Sequence, residues 1–313
     1  KGKYALAWLD ITTGDFFVSP IDASNLDAEL ARLQAGELIV SFTVLDKEEL
    51  VDVLEDWQHI ISPVENSLFD SARSEINLKE FYGVGIADTF GRAELAASGA
   101  LIEYLQETQK GKLPKLKIPK LVGEDAVMMI DSATRRNLEL NRTLAGEKKG
   151  SLLSAIDKTI TGAGARLLGG YLSAPLTDPV RINKRLDLVT YFLNAEALRN
   201  QLRGLLKSCP DIERAMSRLS VGRGGPRDLA AVGLGLDQAF KIKEIIESNI
   251  VNTRDDLTGK IDDLKSIIDH FGNHSDIVDE LRRALLPDTP MIIRDGNFIA
   301  KGYHAPLDEF QML

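Results

Sequence analysis

The sequence predicts an α/β domain with a mixed sheet and helices over residues 1–113, a linker over 114–122 and a mainly α-helical domain over 123–313 that ends in a β-hairpin. Three observations predict it. Short apolar runs alternate with short amphipathic segments as far as about Thr108, the pattern of strands layered with helices. From 111 to 122 two prolines and four lysines stand in a stretch without apolar period. Beyond it, apolar residues recur at helical spacing almost throughout.

Tyr4 to Leu9 is nearly all apolar, Thr12 to Asp15 is polar, and Phe16 to Val18 is apolar again, which reads as a hairpin. Ser24 and Asp27 have capping-box spacing, with Asp in place of the usual Glu, ahead of a helix that puts Leu26, Leu30 and Leu33 on one face. A strand from Leu38 to Phe42, a helix from Asp46 to Leu54 and a strand from His59 to Ser62 follow, and a helix from Arg92 to about Thr108 closes the domain.

In the second part, Asp178 before Pro179 opens a helix whose stripe is Ile182, Leu186, Val189 and Leu193. A cap among Ser208 to Asp211 precedes Ile212, Met216 and Leu219 at the same spacing. Leu257, Ile261, Leu264, Ile268 and Phe271 alternate gaps of four and three, as on a long helix packed along another. Met291 to Ile293 and Asn297 to Ala300 flank Asp295-Gly296, a strong hairpin signal.

The 313 residues are 44% hydrophobic and 27% charged, enough apolar material for two cores. The net charge of -9 is uneven: residues 1–113 carry 9 Lys and Arg against 20 Asp and Glu, a balance of -11, and the remainder carries +2. An acidic first third repels a phosphate backbone and suits a protein-facing role, so any nucleic-acid contact belongs to the second part. Cys209 is the only cysteine, which excludes an intramolecular disulfide and a cysteine-built metal site. No run of about 18 uncharged apolar residues and no secretory leader pattern occurs, so a cytoplasmic chain without membrane association is expected.

The chemistry in the sequence is sparse. No Walker loop is present, so no ATP is expected to bind or turn over here. The glycines at 162, 164, 169 and 170 lack the spacing of a dinucleotide loop and read as close helix packing or a tight turn. The turn from Gly222 to Arg227 offers Arg223 and Arg227 as a phosphate contact in a backbone nest, although a helix connection with solvated arginines accounts for it equally well. His270 and His274 are spaced as two metal ligands, but Gly272 and Asn273 between them favour a helix end. Asp10 ends the first strand of an α/β domain, where a ribonuclease H-type nuclease would place a metal-binding carboxylate, with Asp88 and Glu94 as partners; the competing and favoured reading is a turn aspartate that bonds its own backbone. No catalytic, cofactor or metal residue is therefore assigned. A metal-dependent nuclease using Asp10 and a purely architectural helical scaffold stand as alternatives.

Several motifs in one order give a more specific signal. The segments Asp131–Leu140, Asn141–Leu144 and Gly164–Leu176 closely resemble the start of the core domain in the bacterial MutS family; Ile182–Val189, Asp211–Leu219 and Gly222–Arg227 continue the resemblance. Leu6–Gly14 is similar to the opening strand and turn of that family's connector domain, and Arg294–Gly296 with Gly302–Phe310 to the passage from core to clamp. The resemblance covers nearly the whole chain. It implies a ribonuclease H-like connector without nuclease chemistry, followed by part of the core with its lever helices. It also implies a fragment, since the family's mismatch-reading domain with its Phe-x-Glu wedge and its ATPase domain match nothing here. The implied function is a non-catalytic relay between the DNA-binding and ATPase ends, with a MutL-facing surface that includes Arg73, Ser74, Glu75 and Asn77. Mismatched double-stranded DNA, ATP and Mg²⁺ are implied for the full-length protein only, which is dimeric in this family; the present chain is expected to be monomeric.

Overall fold

A computed structural model describes residues 4–83, 89–109, 113, 115–123, 127–251 and 258–311. They fall into two compact units, Lys1–Asp157 with Arg166–Thr177, and Lys158–Ala165 with Asp178–Leu313. Among the described residues the first unit is a mixed α/β layer and the second is helical.

In the first unit β1 (Tyr4–Leu9) pairs antiparallel with β2 (Phe16–Ile21), and β2 pairs in parallel with β5 (Lys120–Leu121). A second sheet holds β3 (Leu38–Ser41) and β4 (Ile61–Val64) in parallel. The hairpin is as the sequence predicts, and β2 runs on to Ile21 through Pro20. A proline is tolerated there because β5 pairs only with Phe17 and Val18, so the missing N–H falls past the end of β5. The lysine-rich stretch supplies β5 without any apolar alternation: Val122 N–H donates to the Val18 carbonyl and Lys117 N–H to the Gly14 carbonyl, each at 2.8 Å, and Leu116 is buried. Backbone pairing needs no side-chain period.

Helices α1 (Leu26–Leu33), α2 (Phe42–Leu45), α3 (Val51–Asp56), α4 (Ser71–Tyr82) and α5 (Arg92–Thr108) pack around these strands. Two readings need correction, and one helix has no reading to correct. The cap of α1 is Asn25 and makes no side-chain bond; Asp27 instead accepts from Trp57 Nε1 at 3.1 Å, a distant partner that spacing cannot reveal. The helix expected over 46–54 starts only at Val51, and Phe42–Leu45 before it form the separate α2, opened by Ser41 Oγ accepting from Val44 N–H. Helix α4, unread in the sequence, begins at Asp70, whose carboxylate accepts from Ala72 and Arg73 N–H at 2.8 and 3.0 Å. The core joins Phe16, Leu78, Leu95, Ile102, Leu105 and Leu116. The unit is extended by α6 (Ser132–Asn137), α7 (Leu152–Ile156) and the part of α8 (Gly162–Ser173) from Arg166 on. The 162–170 glycines thus lie in a helix, where a Cβ added at Gly169 would meet Leu153 at 3.6 Å, an ordinary van der Waals contact.

The second unit comprises α9 (Pro179–Asn194), α10 (Glu196–Leu206), α11 (Ile212–Ser220), α12 (Pro226–Val251), α13 (Thr258–Asp269), α14 (Ser275–Ala284) and α15 (Ala305–Gln311). Asp178 caps α9 by accepting from Val180 N–H at 2.9 Å, and Asp211 caps α11 by accepting from Arg214 N–H at 3.3 Å, as predicted. The core gathers Tyr191 of α9, Leu198 and Leu202 of α10, Ile242 and Ile246 of α12, and Leu264 and Ile268 of α13, with Phe271 packed against it. The heptad reading therefore holds at Leu264, Ile268 and Phe271; Leu257 lies outside the described residues.

The apolar stripe assigned to α9 does not enter this core. Leu186, Val189 and Leu193 are exposed, and Leu188, Tyr191 and Phe192 make the contacts instead. The terminal hairpin is also replaced. Residues 298–300 pair with the end of α14, through Leu286 N–H to the Phe298 carbonyl and Ala300 N–H to the Ala284 carbonyl, while Ile293–Asp295 form a 3₁₀ turn. Residues 290–291 are held elsewhere: Arg227 N–H donates to the Pro290 carbonyl, and the Met291 carbonyl lies so close to Gly225 that a Cβ there would sit 2.0 Å away. Asp295-Gly296 still makes a turn, with Gly296 at φ +63°.

Candidate partner-binding surface

Four residues proposed to face a partner, Arg73, Ser74, Glu75 and Asn77, lie within α4, whose start is fixed by the Asp70 cap. The two backbone N–H groups bonded to Asp70 hold its carboxyl below the usual carboxylate range. Arg73 and Asn77, four residues apart and so on one face, both reach Glu103 of α5: the guanidinium forms an ion pair with its carboxylate and Asn77 Nδ2 donates at 3.4 Å. Glu103 is buried and was missed in the sequence, because nothing local links residues 30 apart. The Arg73 side chain remains 57% exposed, so the pairing orients it without removing it from solvent. Glu75 pairs with Lys79 at 2.6 Å on the neighbouring face.

Ser74 is a correction. It is 2% exposed and packed against Gly99 of α5, where a Cβ would lie 2.2 Å from the Ser74 Cβ. It is a helix-contact residue and offers no surface. Its place on the face is taken by Ile76, 58% exposed and three residues from Arg73. An exposed isoleucine between a guanidinium and a carboxamide is a composition that protein partners bind: an apolar centre with polar groups beside it.

The turn with Arg223 and Arg227 is described too. Its Gly225 N–H donates to Asp228 Oδ2 at 3.0 Å, and Arg218 Nε donates to Asp228 Oδ1 at 3.0 Å. Burial pushes the Asp228 carboxyl up, but the Arg218 and Gly225 hydrogen bonds and the charges of Arg218 and Arg227 outweigh it and hold it below the ordinary range. The chain's own carboxylate thus takes the Gly225 N–H, which leaves the Arg223 and Arg227 side chains as the groups for a phosphate contact.

Asp10 is committed locally. Its Oδ1 accepts from Thr12 N–H at 2.7 Å and Thr12 Oγ1 at 2.6 Å, and its carbonyl accepts from Gly14 N–H at 2.8 Å. This is an Asx-type turn. Glu94 lies against Gly91 at the start of α5, and Asp88 falls outside the described residues. Among the described residues no three His, Cys, Asp or Glu side chains are placed to hold a metal ion. His270 and His274 flank the Gly272 bend that ends α13, with Gly272 at φ +65°. The nuclease alternative is not favoured.

Two family models match the chain. A family model described as MutS domain II matches residues 1–117, and one described as MutS domain III matches residues 133–311. The chain is 44% identical over 320 residues to the DNA mismatch repair protein MutS of Ruegeria pomeroyi, covering 99% of this chain and 34% of that protein. It is 42% identical over 312 residues to the protein of the same description from Roseobacter denitrificans, again covering 99% and 34%. The figures for Rhodopseudomonas palustris are 42% over 314 residues, covering 99% and 33%. The chain spans about a third of the length of these relatives.

Proposed function

Because the chain belongs to the MutS family of DNA mismatch-repair proteins, comprising its connector and core domains, we propose that it is a non-catalytic recruiting and relay module. The α4 face of Arg73, Ile76 and Asn77, with Glu75 at its margin, receives MutL. The observation that carries this reading is the pairing of Arg73 and Asn77 with one buried carboxylate, Glu103, beside an exposed isoleucine. A surface whose charged group is already oriented loses less side-chain freedom on binding.

The relay rests on the second unit. Helix α12 has 26 residues, so it extends about 39 Å as a continuous rod. Packed rods move as rigid pieces, so displacement at one end reaches the other when both ends bias the same two arrangements. Mismatched double-stranded DNA, ATP and Mg²⁺ are assigned to the longer protein; the 313 residues contain no Walker loop to cradle a nucleotide. Arg223 and Arg227 make at most a salt-sensitive phosphate contact. A cytoplasmic, membrane-free setting is part of the reading, and among the described residues no helix is long and apolar enough to cross a membrane.

Isothermal titration of MutL into the chain tests the reading. Saturable heat is expected, weakened about tenfold or more by Arg73→Glu or Ile76→Asp, in line with loss of one strong contact. A folded chain that gives no heat, or full affinity in both variants, would remove the proposal.

A further inference from the structure

Many exposed cations of the second unit stand against a carboxylate. Lys184 pairs with Asp263, Arg218 with Asp228, Lys241 with Asp237, and Arg282 with Asp237 and Asp279. Lys158, Arg199, Arg203 and Lys207 differ: among the described residues none of these four forms an ion pair. Main-chain carbonyls hold the two arginines instead. Arg199 Nη1 donates to the Phe192 and Leu193 carbonyls at the end of α9, both at 2.8 Å, and Arg203 Nη1 donates to the Lys158 carbonyl at 3.1 Å. A carbonyl orients a guanidinium without cancelling its charge, which the group keeps at any pH a folded protein meets.

Arg199, Arg203 and Lys207 follow one another at intervals of four along α10 and its C-cap, so they form one row on the helix. Leu198 and Leu202 anchor another face of α10 in the core, which leaves Arg203 and Lys207 exposed and Arg199 half-buried. Lys158, held beside the row through its carbonyl, is exposed as well. Glu196, in the first turn, is the one acidic side chain of the helix. The surface is also free of apolar groups: from 194 to 215 no large apolar side chain is exposed. Asn200 and Gly204 lie beside the row, and a Cβ added at Gly204 would meet nothing within 4 Å. A protein partner binds to an apolar centre with polar groups around it, and this face has no such centre. Phosphate oxygens ask for the other composition, cations and amide donors on a surface that a backbone can approach. From Arg199 to Lys207 the helix rises about 12 Å, over which one strand of a duplex carries about three or four phosphates.

We infer that the α10 row of Arg203 and Lys207, with Arg199 and Lys158 beside it, is a docking surface for the phosphate backbone of duplex DNA. It touches phosphates and no base edges, so its attraction is the same for matched and mismatched duplexes and falls with salt. It acts independently of Arg223 and Arg227 and of the α4 face.

The probe is a labelled, fully matched DNA duplex, whose fluorescence anisotropy is followed with the 313-residue chain across a salt series. Arg203→Gln with Lys207→Gln is expected to lower the slope of log affinity against log salt by about 2, whereas Arg203→Lys with Lys207→Arg keeps it. Arg223→Ala with Arg227→Ala in the same series reads the other phosphate contact, so either site can fail alone. In the unaltered chain, acetylation of Lys158 and Lys207, read by mass spectrometry, is expected to slow several-fold when duplex is present, with Lys241 unprotected. That measurement decides if the glutamine variant does not fold. An unchanged slope in the folded variant, equal acetylation with and without duplex, or protection by polyglutamate but not by DNA would overturn the inference.

Discussion

Single side chains decide what the α4 face is. Ser74 looks like a surface residue because serine is usually exposed, and only the position of Gly99 across the helix pair shows that it is not. Gly99→Ala would drive a methyl into Ser74, whose Cα would lie 2.7 Å away, so neither helix yields without shifting. A loss of about 1–3 kcal/mol is expected from such overpacking, read as a lower denaturation midpoint in urea. Asp237 gives a pH test. A hydrogen bond from Lys241, then the charge of Arg282, hold its carboxyl below the ordinary value despite its burial. A depressed carboxylate contributes stability that is present above the unfolded value, near about 4, and is lost as pH falls through the lower folded value. Urea denaturation between neutral pH and about pH 3 should show this acid loss in the unaltered chain and less of it in Asp237→Asn.

Elements were legible where periodicity and caps are local. The hairpin of β1 and β2, the Asp178-Pro179 start of α9 and the Leu264–Ile268 repeat of α13 all carry their signal within a few residues. Reading failed where the deciding partner is distant. Asp27 bonds Trp57 rather than capping α1, β5 is recruited by β2, and residues 298–300 pair with α14 because the 290–291 backbone is held against Gly225 and Arg227. The candidate site was read by the same split. Arg73 and Asn77 follow from the family resemblance alone, since no period or cap reads α4, whereas Glu103, which orients them, and the exposure of Ile76 beside them need the fold. Helix α9 shows the limit of periodicity most plainly, since it has two apolar stripes and the core takes that of Leu188, Tyr191 and Phe192, with Tyr191 buried and the other two partly so. Tyr191→Ala is therefore expected to cost about 3 kcal/mol or more, and Val189→Ser only about 0.5 kcal/mol or less. Leu264→Ala should cost about 2–5 kcal/mol. Thermal unfolding of the three variants side by side checks the assignment.

For the molecule as a whole, the balance of -11 over residues 1–113 and +2 over the remainder suits the proposal that α4 meets protein and that any nucleic-acid contact falls on the second part. Binding of duplex DNA is expected to be weak and to fall steeply with salt. Replacing both Arg223 and Arg227 with alanine should lower the slope of log affinity against log salt by about 2, one counterion for each lost phosphate contact. Fluorescence anisotropy across a salt series reads this directly. The central claim, that this chain acts by receiving a protein on α4, is tested most directly by amide hydrogen exchange with and without MutL. The account predicts slowed exchange at the α4 amides of residues 75–82 and at the facing part of α5, with α11 and α12 unchanged. Protection confined to residues 178–311, or none anywhere in the presence of MutL, would contradict it.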